Sequence, residues 1–299
     1  AQNIIQVFWF YRQFPNWLLE NNTRLDIFIV NNNSFKGPFI VPYDILPNML
    51  SIDISDNYLH GPIPTNLGLK MSRNEFQGSI PSSFGNLVFL QCLQLSENNI
   101  SGTILMHFIM GCYHGQIFPT NFIWTNLRNL QLDNNHFSGT LPTWMGNMSF
   151  LEDIVMAKNH FEDPISTELC KLVDLRFLDL SDNNLFGSIP SCFNSTSIRI
   201  GSLSSLKILL LKENQLGDQI PIQLCLLQNL NILDLSYNKF SSPIPQCLSN
   251  ITFDASVQEN SLKVFFFSGP YSRSLSSYLN TKLKYTEDPN YETFVFDTC

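Results

Sequence analysis

The chain has 299 residues, 44% of them hydrophobic and 14% charged, and a net charge of −8. This is enough apolar material for a large core, and the acidic balance excludes nucleic acid as a partner, since that binding rests on a basic surface that neutralises phosphates. The longest apolar runs, "IIQVFWFY" and "KVFFF", fall far short of the ~18–20 residues a membrane-spanning helix needs.

Residues 1–14, "AQNIIQVFWFYRQF", start at Ala1 and lack the basic start and small-residue cleavage site of a signal peptide. They match no element pattern, and the sequence reads as a piece of a longer one. From residue 15 to 252 the chain repeats the phrase LxxLxLxxN. Its Asn falls at Asn33, Asn57, Asn74, Asn98, Asn135, Asn159, Asn183, Asn214 and Asn238. The steps are 24, 17, 24, 37, 24, 24, 31 and 24 residues. In "LRFLDLSDN", Leu175, Leu178 and Leu180 point inward, and the alternation around Leu178 and Leu180 makes a short strand. Phe177, Asp179, Ser181 and Asp182 then point outward. Each Asn carries a donor and an acceptor that satisfy backbone groups buried between coils. The Ile-Pro that follows ends the extended run, and "CFNS" or "FGNLVFL" returns through irregular or 3₁₀-like chain. The expected fold is an α/β solenoid whose stacked strands form a concave parallel sheet, with the 3₁₀ and irregular side convex.

The outward strand positions form one strip suited to an extended peptide or a protein: Ser51, Asp53, Asp56, Gln94, Glu97, Gln131, Asp133, Asp153, Lys158, Phe177, Asp179, Asp182, Lys212, Glu213, Asp234 and Tyr237. Acidic residues outnumber basic ones there, which favours a polar or mildly basic ligand. The plainer reading is that the Asp and Ser of "LDLS" only solvate the sheet. Cys170 and Cys192 lie eleven and nine residues after their ladder Asn, and Cys225 and Cys247 repeat the offsets, so each pair sits on adjacent coils within disulfide reach. His136 and His160 share one slot in consecutive coils, about 5 Å apart. The expectation there is a solvated turn rather than a metal or proton site. Sequons at Asn21, Asn32, Asn99, Asn147, Asn194 and Asn250 are compatible with a glycoprotein, although their number is little above chance. No hydrolase, zinc-protease, phosphate-loop or kinase signature occurs, so neither an enzymatic activity nor a cofactor is expected. Residues 253–299 leave the grid and carry Tyr271, Tyr278, Tyr285 and Tyr291, as a non-repeat island or a disordered tail.

The elements "GPIP" (61–64), "GSIP" (78–81 and 187–190) and "GTLP" (139–142), on this grid, resemble the plant-specific leucine-rich repeat. The phrases "FPNWLLENNTRL" and "LPTWMGNMSFLEDIVMAKNHF" look like the ectodomains of plant receptor-like proteins. That resemblance implies ligand perception on the extracellular side of the plasma membrane, in defence or development. It also implies a membrane span outside this chain and signalling through a co-receptor kinase. The rival is a secreted cell-wall protein similar to polygalacturonase-inhibiting proteins; a third reading is a non-functional gene remnant. The family has full coils where the 17-, 37- and 31-residue steps fall. The resemblance therefore implies coils missing there rather than irregular loops, with broken register and exposed core edges over residues 60–125 and 195–206. The cysteine-bearing caps of the family are not recognisable.

Overall fold

The computed structural model describes residues 4–6, 13–20, 25, 27–40, 51–63, 69–80, 92–104, 126–194 and 203–250. These lie in the compact unit Ala1–Phe253; the second unit, Asp254–Cys299, with its tyrosines, is outside the described residues.

Two strands are formed per coil. In chain order they are β1 (Ile4–Gln6), β2 (Ile27–Ile29), β3 (Lys36–Pro38), β4 (Ser51–Asp53), β5 (Tyr58–Gly61) and β6 (Leu69–Lys70). Next come β7 (Glu75–Gly78), β8 (Cys92–Gln94), β9 (Asn99–Gly102), β10 (Asn129–Gln131), β11 (His136–Thr140) and β12 (Asp153–Val155). The rest are β13 (His160–Pro164), β14 (Phe177–Asp179), β15 (Asn184–Gly187), β16 (Ile208–Leu210), β17 (Gln215–Leu216) and β18 (Ile232–Asp234). Among the described residues, β1 and the even-numbered strands build a ten-stranded sheet, and the odd strands β3 to β17 an eight-stranded one. The strand pairings among the described residues are parallel, Ile154 opposite Leu178 being typical. β1 pairs Ile4 with Ile27, so the stretch 1–14, unassigned by its sequence, supplies the first strand.

The inward positions are core. Leu175, Leu178 and Leu180 are buried completely or nearly so, and the same slots hold Leu151, Ile154 and Met156 one coil earlier. A second buried column stands two residues after the ladder Asn from Asn33 to Asn214, where the rings of Phe137 and Phe161 stack 7° from parallel at 6.2 Å. No coil buries this surface alone; stacking does. Described 3₁₀ turns follow at Thr143–Asn147, Thr167–Lys171, Ser191–Asn194, Ile222–Leu226 and Gln246–Asn250. Pro142 and Pro221 precede two of them in extended conformation, at φ −64° and −67°, the value the proline ring imposes.

The irregular steps correct the expectation of broken register. Across the 17-, 37- and 31-residue steps Ile52 pairs with Leu69, Leu93 with Leu130 and Leu178 with Leu209. Residues 64–68, 105–125 and 195–202, where the surplus or shortage of chain falls, lie outside the described residues.

The Asn ladder explains why register survives. Asn159 is buried; its Nδ2 donates to Leu132 O, Met156 O and Ala157 O at 3.0, 3.1 and 3.2 Å, and its Oδ1 accepts from Phe137 N at 3.0 Å. Two bonds cross to the preceding coil and two close the local turn. Asn57, Asn74, Asn98, Asn135, Asn183, Asn214 and Asn238 repeat the cross-coil acceptance, from Phe35, Leu59, Phe76, Ile100, Phe161, Leu185 and Leu216. Asn33, in the first such coil, closes its own turn onto Val30 O and Asn31 O. An Asn bonded this way fixes coil on coil whatever length of chain lies between.

Candidate ligand-binding surface

The surface is built from four columns on the ten-stranded sheet. One holds the last residue of each strand, a second lies two residues before it, as Asp153 and Phe177 do, a third lies two residues after it, and the last is the residue before each ladder Asn. Every member of that last column, from Asn32 and Asp56 through Arg73, Glu97, Asn134, Lys158, Asp182 and Glu213 to Tyr237, has φ between 52° and 55°. This left-handed turn, uncommon for residues other than glycine, is imposed by the closure onto the ladder Asn.

The strip is less solvated than its sequence implies. Gln131, Asp133, Phe177, Asp179 and Asp234 are between 2% and 7% exposed, whereas Lys158, Glu213 and Tyr237 are open to solvent. Asp56, Gln94, Glu97, Asp153, Asp182 and Lys212 are intermediate, as is Asp53. Part of the "LDLS" phrase closes on itself. Asp53 Oδ1 accepts from Ser55 N and Oγ at 3.2 and 2.6 Å, and Asp234 Oδ1 from Ser236 N and Oγ at 2.9 and 2.6 Å. Asp179 accepts from Ser181 N at 3.0 Å. These aspartates terminate their strands by local side-chain bonds. Asp133 accepts from Ser96 Oγ of the neighbouring coil and from Asn134 Nδ2.

Arg73, absent from the residues singled out in the sequence, sits between Asp56 and Glu97 at 2.9 and 3.3 Å and pairs with both. Its place in the column was legible from the residue before Asn74, but only once the short step is known to be in register. A second row missed by the sequence runs beside the strand starts, where Glu152 bridges Arg128 and Arg176 at 2.5 and 3.0 Å. Lys212 pairs with Glu213 at 2.8 Å and stands over the Tyr237 ring at 5.4 Å.

Arg73 offsets one of the two charges of Asp56 and Glu97, and further carboxyls lie on β10 to β16. Burial, and next the charge of Glu152, push the Asp153 carboxyl up to about 7 against the pull of Arg176. Burial raises Asp179 to about 6 although Ser181 bonds its charged form. Asp182 is also raised to about 6, by burial and then by its hydrogen bond to Glu213, whose own value is lowered by the same bond. Val155, Ala157 and Phe177 form a buried apolar floor between these carboxyls. At its edge the Gln131 side chain is 5% exposed, and its Nε2 has no hydrogen-bond partner among the described residues.

The sulfurs of Cys170 and Cys192 lie 2.14 Å apart and those of Cys225 and Cys247 2.02 Å apart, each pair bridging adjacent coils. Cys92 is disulfide-bonded as well. Of the sequons, Asn32, Asn99 and Asn147 are exposed, Asn21 lies outside the described residues, and Asn194 and Asn250 close 3₁₀ turns. Among the described residues no group of three or more His, Cys, Asp or Glu could hold a metal ion, and no helix is long and apolar enough to cross a membrane.

Leucine-rich repeat family models match residues 125–185, and 68–87 with 229–251. Cuscuta receptor 1 of Solanum lycopersicum is 31% identical over 187 residues, covering 60% of this chain and 16% of that protein. Receptor-like protein 18 of Arabidopsis thaliana is 34% identical over 194 residues, covering 60% of this chain and 21% of that protein. The chain thus spans about a fifth or less of the length of these two relatives. The solved plant peptide hormone receptor RGFR1 in complex with RGF2 superposes with a TM-score of 0.69 at 32% identity, over 80% of this chain and 36% of that one. Repeat geometry, relatives and solved neighbour agree: the chain is a leucine-rich-repeat solenoid, similar to the ectodomains of plant receptor-like proteins.

Proposed function

We propose that the chain is the ligand-recognition part of a plant cell-surface receptor-like protein. It takes a peptide or protein segment along the strip, over β10 to β16, and acts on the extracellular side of the plasma membrane. Signalling in defence or development then passes through a partner kinase. The receptor character of the relatives and the hormone-receptor neighbour support the general role.

The observation that carries the ligand site is Gln131. A buried amide donor without an acceptor costs roughly 1–3 kcal/mol, and such groups are rare in native proteins without a reason. A carbonyl of an extended ligand lying on the apolar floor would satisfy it. The carboxyls of Asp133, Asp153 and Asp182 around that floor favour a ligand with a cationic side chain.

The test is binding of synthetic signalling peptides, basic and acidic, to the secreted chain and two variants. Gln131→Leu should keep or raise the melting temperature while weakening peptide binding about tenfold, the equivalent of ~1.4 kcal/mol. Glu168→Lys, on a 3₁₀ turn of the other side, should leave binding unchanged. Equal binding by wild type and Gln131→Leu would remove the site from this face.

A further inference from the structure

We propose that His136 and His160 form a two-histidine site for a divalent transition-metal ion of the zinc, nickel or copper class. They stand outside the ligand strip, each two residues beyond a strip residue, Asn134 or Lys158. Both are exposed. His136 Nδ1 and His160 Nε2 are 3.4 Å apart, with the rings stacked at 5.6 Å and 23°. Two imidazole nitrogens bound to one tetrahedral zinc ion, each at about 2.0–2.1 Å, stand about 3.4 Å from one another. In the structure the two nitrogens face one another within hydrogen-bond reach; their separation is also that of two ligands on one ion once the rings turn to face it. Both rings are solvent-exposed, as the sequence suggests for a turn, and they lie against one another.

The backbone holds this separation without help from the rings. Each histidine directly follows a ladder Asn, and each is followed by a phenylalanine whose N–H is bonded to the next ladder Asn, Phe137 to Asn159 and Phe161 to Asn183, both at 3.0 Å. Those two phenylalanines are buried and stacked. The histidine backbones are thus locked before and after, and coordination needs only rotation of two surface rings. Pre-placement of this kind lowers the ordering cost of binding. Neutral imidazole suits zinc, copper and nickel, not calcium or magnesium. Two protein ligands leave the other coordination positions to water or to a donor group of another molecule. Glu162 lies on the same exposed face of β13, two residues from His160.

The experiment is a titration of the intact chain with nickel and zinc ions alone, by calorimetry and by histidine ring resonances, beside His136→Asn, His160→Asn and, as control, His60→Asn. One ion should bind per chain and shift the resonances of both rings together. Each of the first two variants should lose affinity by about tenfold or more, and His60→Asn should not; all melting temperatures should stay near wild type, because the side chains are exposed. Absence of binding, binding that survives either of the two variants, or magnesium competing at equal concentration would overturn the proposal.

Discussion

The N–H of Leu59 donates to Oδ1 of Asn74 at 2.9 Å, across the shortest step in the array. Asn74 also reaches back to Ile54 O at 2.9 Å, so the two coils are joined by the same bonds that join coils of full length. The coil-to-coil contact is made by a side chain and two backbone groups that have fixed positions within each turn. It does not count the residues in between.

Stability should therefore respond to the ladder far more than to its neighbours. Asn159→Ala leaves Phe137 N–H without its acceptor, while Leu132 O, Met156 O and Ala157 O keep Asn135 Nδ2, Asn183 Nδ2 and Asn134 N, and should cost about 1–3 kcal/mol. Asn184→Ala, one residue past a ladder position and exposed, should stay within about 0.5 kcal/mol. Denaturant unfolding of the two variants measures both.

The pH dependence follows from Asp153. Its carboxyl is raised from 3.8 to about 7 by burial and Glu152, so between those values the folded state holds a proton the unfolded chain has lost. Stability from this group is present at low pH and is lost as pH rises through that window. Asp153→Asn should melt higher than wild type at about pH 8, and the gap should close by about pH 4. A gap that stays constant with pH contradicts the assignment.

Two backbone positions should respond in opposite directions. Gly139 has φ +79°, and a Cβ there would meet Thr103 Cγ2 at 2.8 Å. Gly139→Ala should therefore destabilise the array by more than 1 kcal/mol, an order-of-magnitude figure for added strain. Asp163 fills the equivalent slot one coil on with φ 76°; Asp163→Gly should raise the melting temperature, since glycine adopts this conformation without steric cost.

Each bridge closes a loop with a sequence separation of 22. On chain-entropy grounds, replacing both Cys170 and Cys192 with Ser should cost about 3 kcal/mol. Melting of oxidised wild type, reduced wild type and the double variant gives the comparison: the last two should coincide more nearly if Cys225–Cys247 and the Cys92 bridge contribute little.

The inward leucines, the ladder and the cysteine pairs were legible in the sequence because each repeats one residue type at one offset. The second sheet was not. The run from Tyr58 to Gly61 alternates exposed and buried positions, but with one apolar side chain and one glycine facing inward it is too short to read as a strand. The left-handed column was hidden for the opposite reason. It accepts Asp56, Arg73, Glu97, Asn134, Lys158 and Tyr237 alike, so no residue type marks it. Nor does an outward position report its own burial. Asp153 and Asp179 stand at the start and end of adjacent paired strands, yet the first is half-buried and the second buried, with Ser181 N–H bonded to it.

Continuity of the ligand strip depends on continuity of the ladder, and hydrogen exchange at three amides tests it most directly. Leu59, Ile100 and Leu185 donate to Asn74, Asn135 and Asn214 across the three irregular steps, as Phe137 and Phe161 do across regular ones. The account predicts that all five amides exchange with comparable, strong protection in the intact chain. Fast exchange at Leu59, Ile100 and Leu185, with Phe137 and Phe161 still protected, would contradict it and divide the surface into separate pieces.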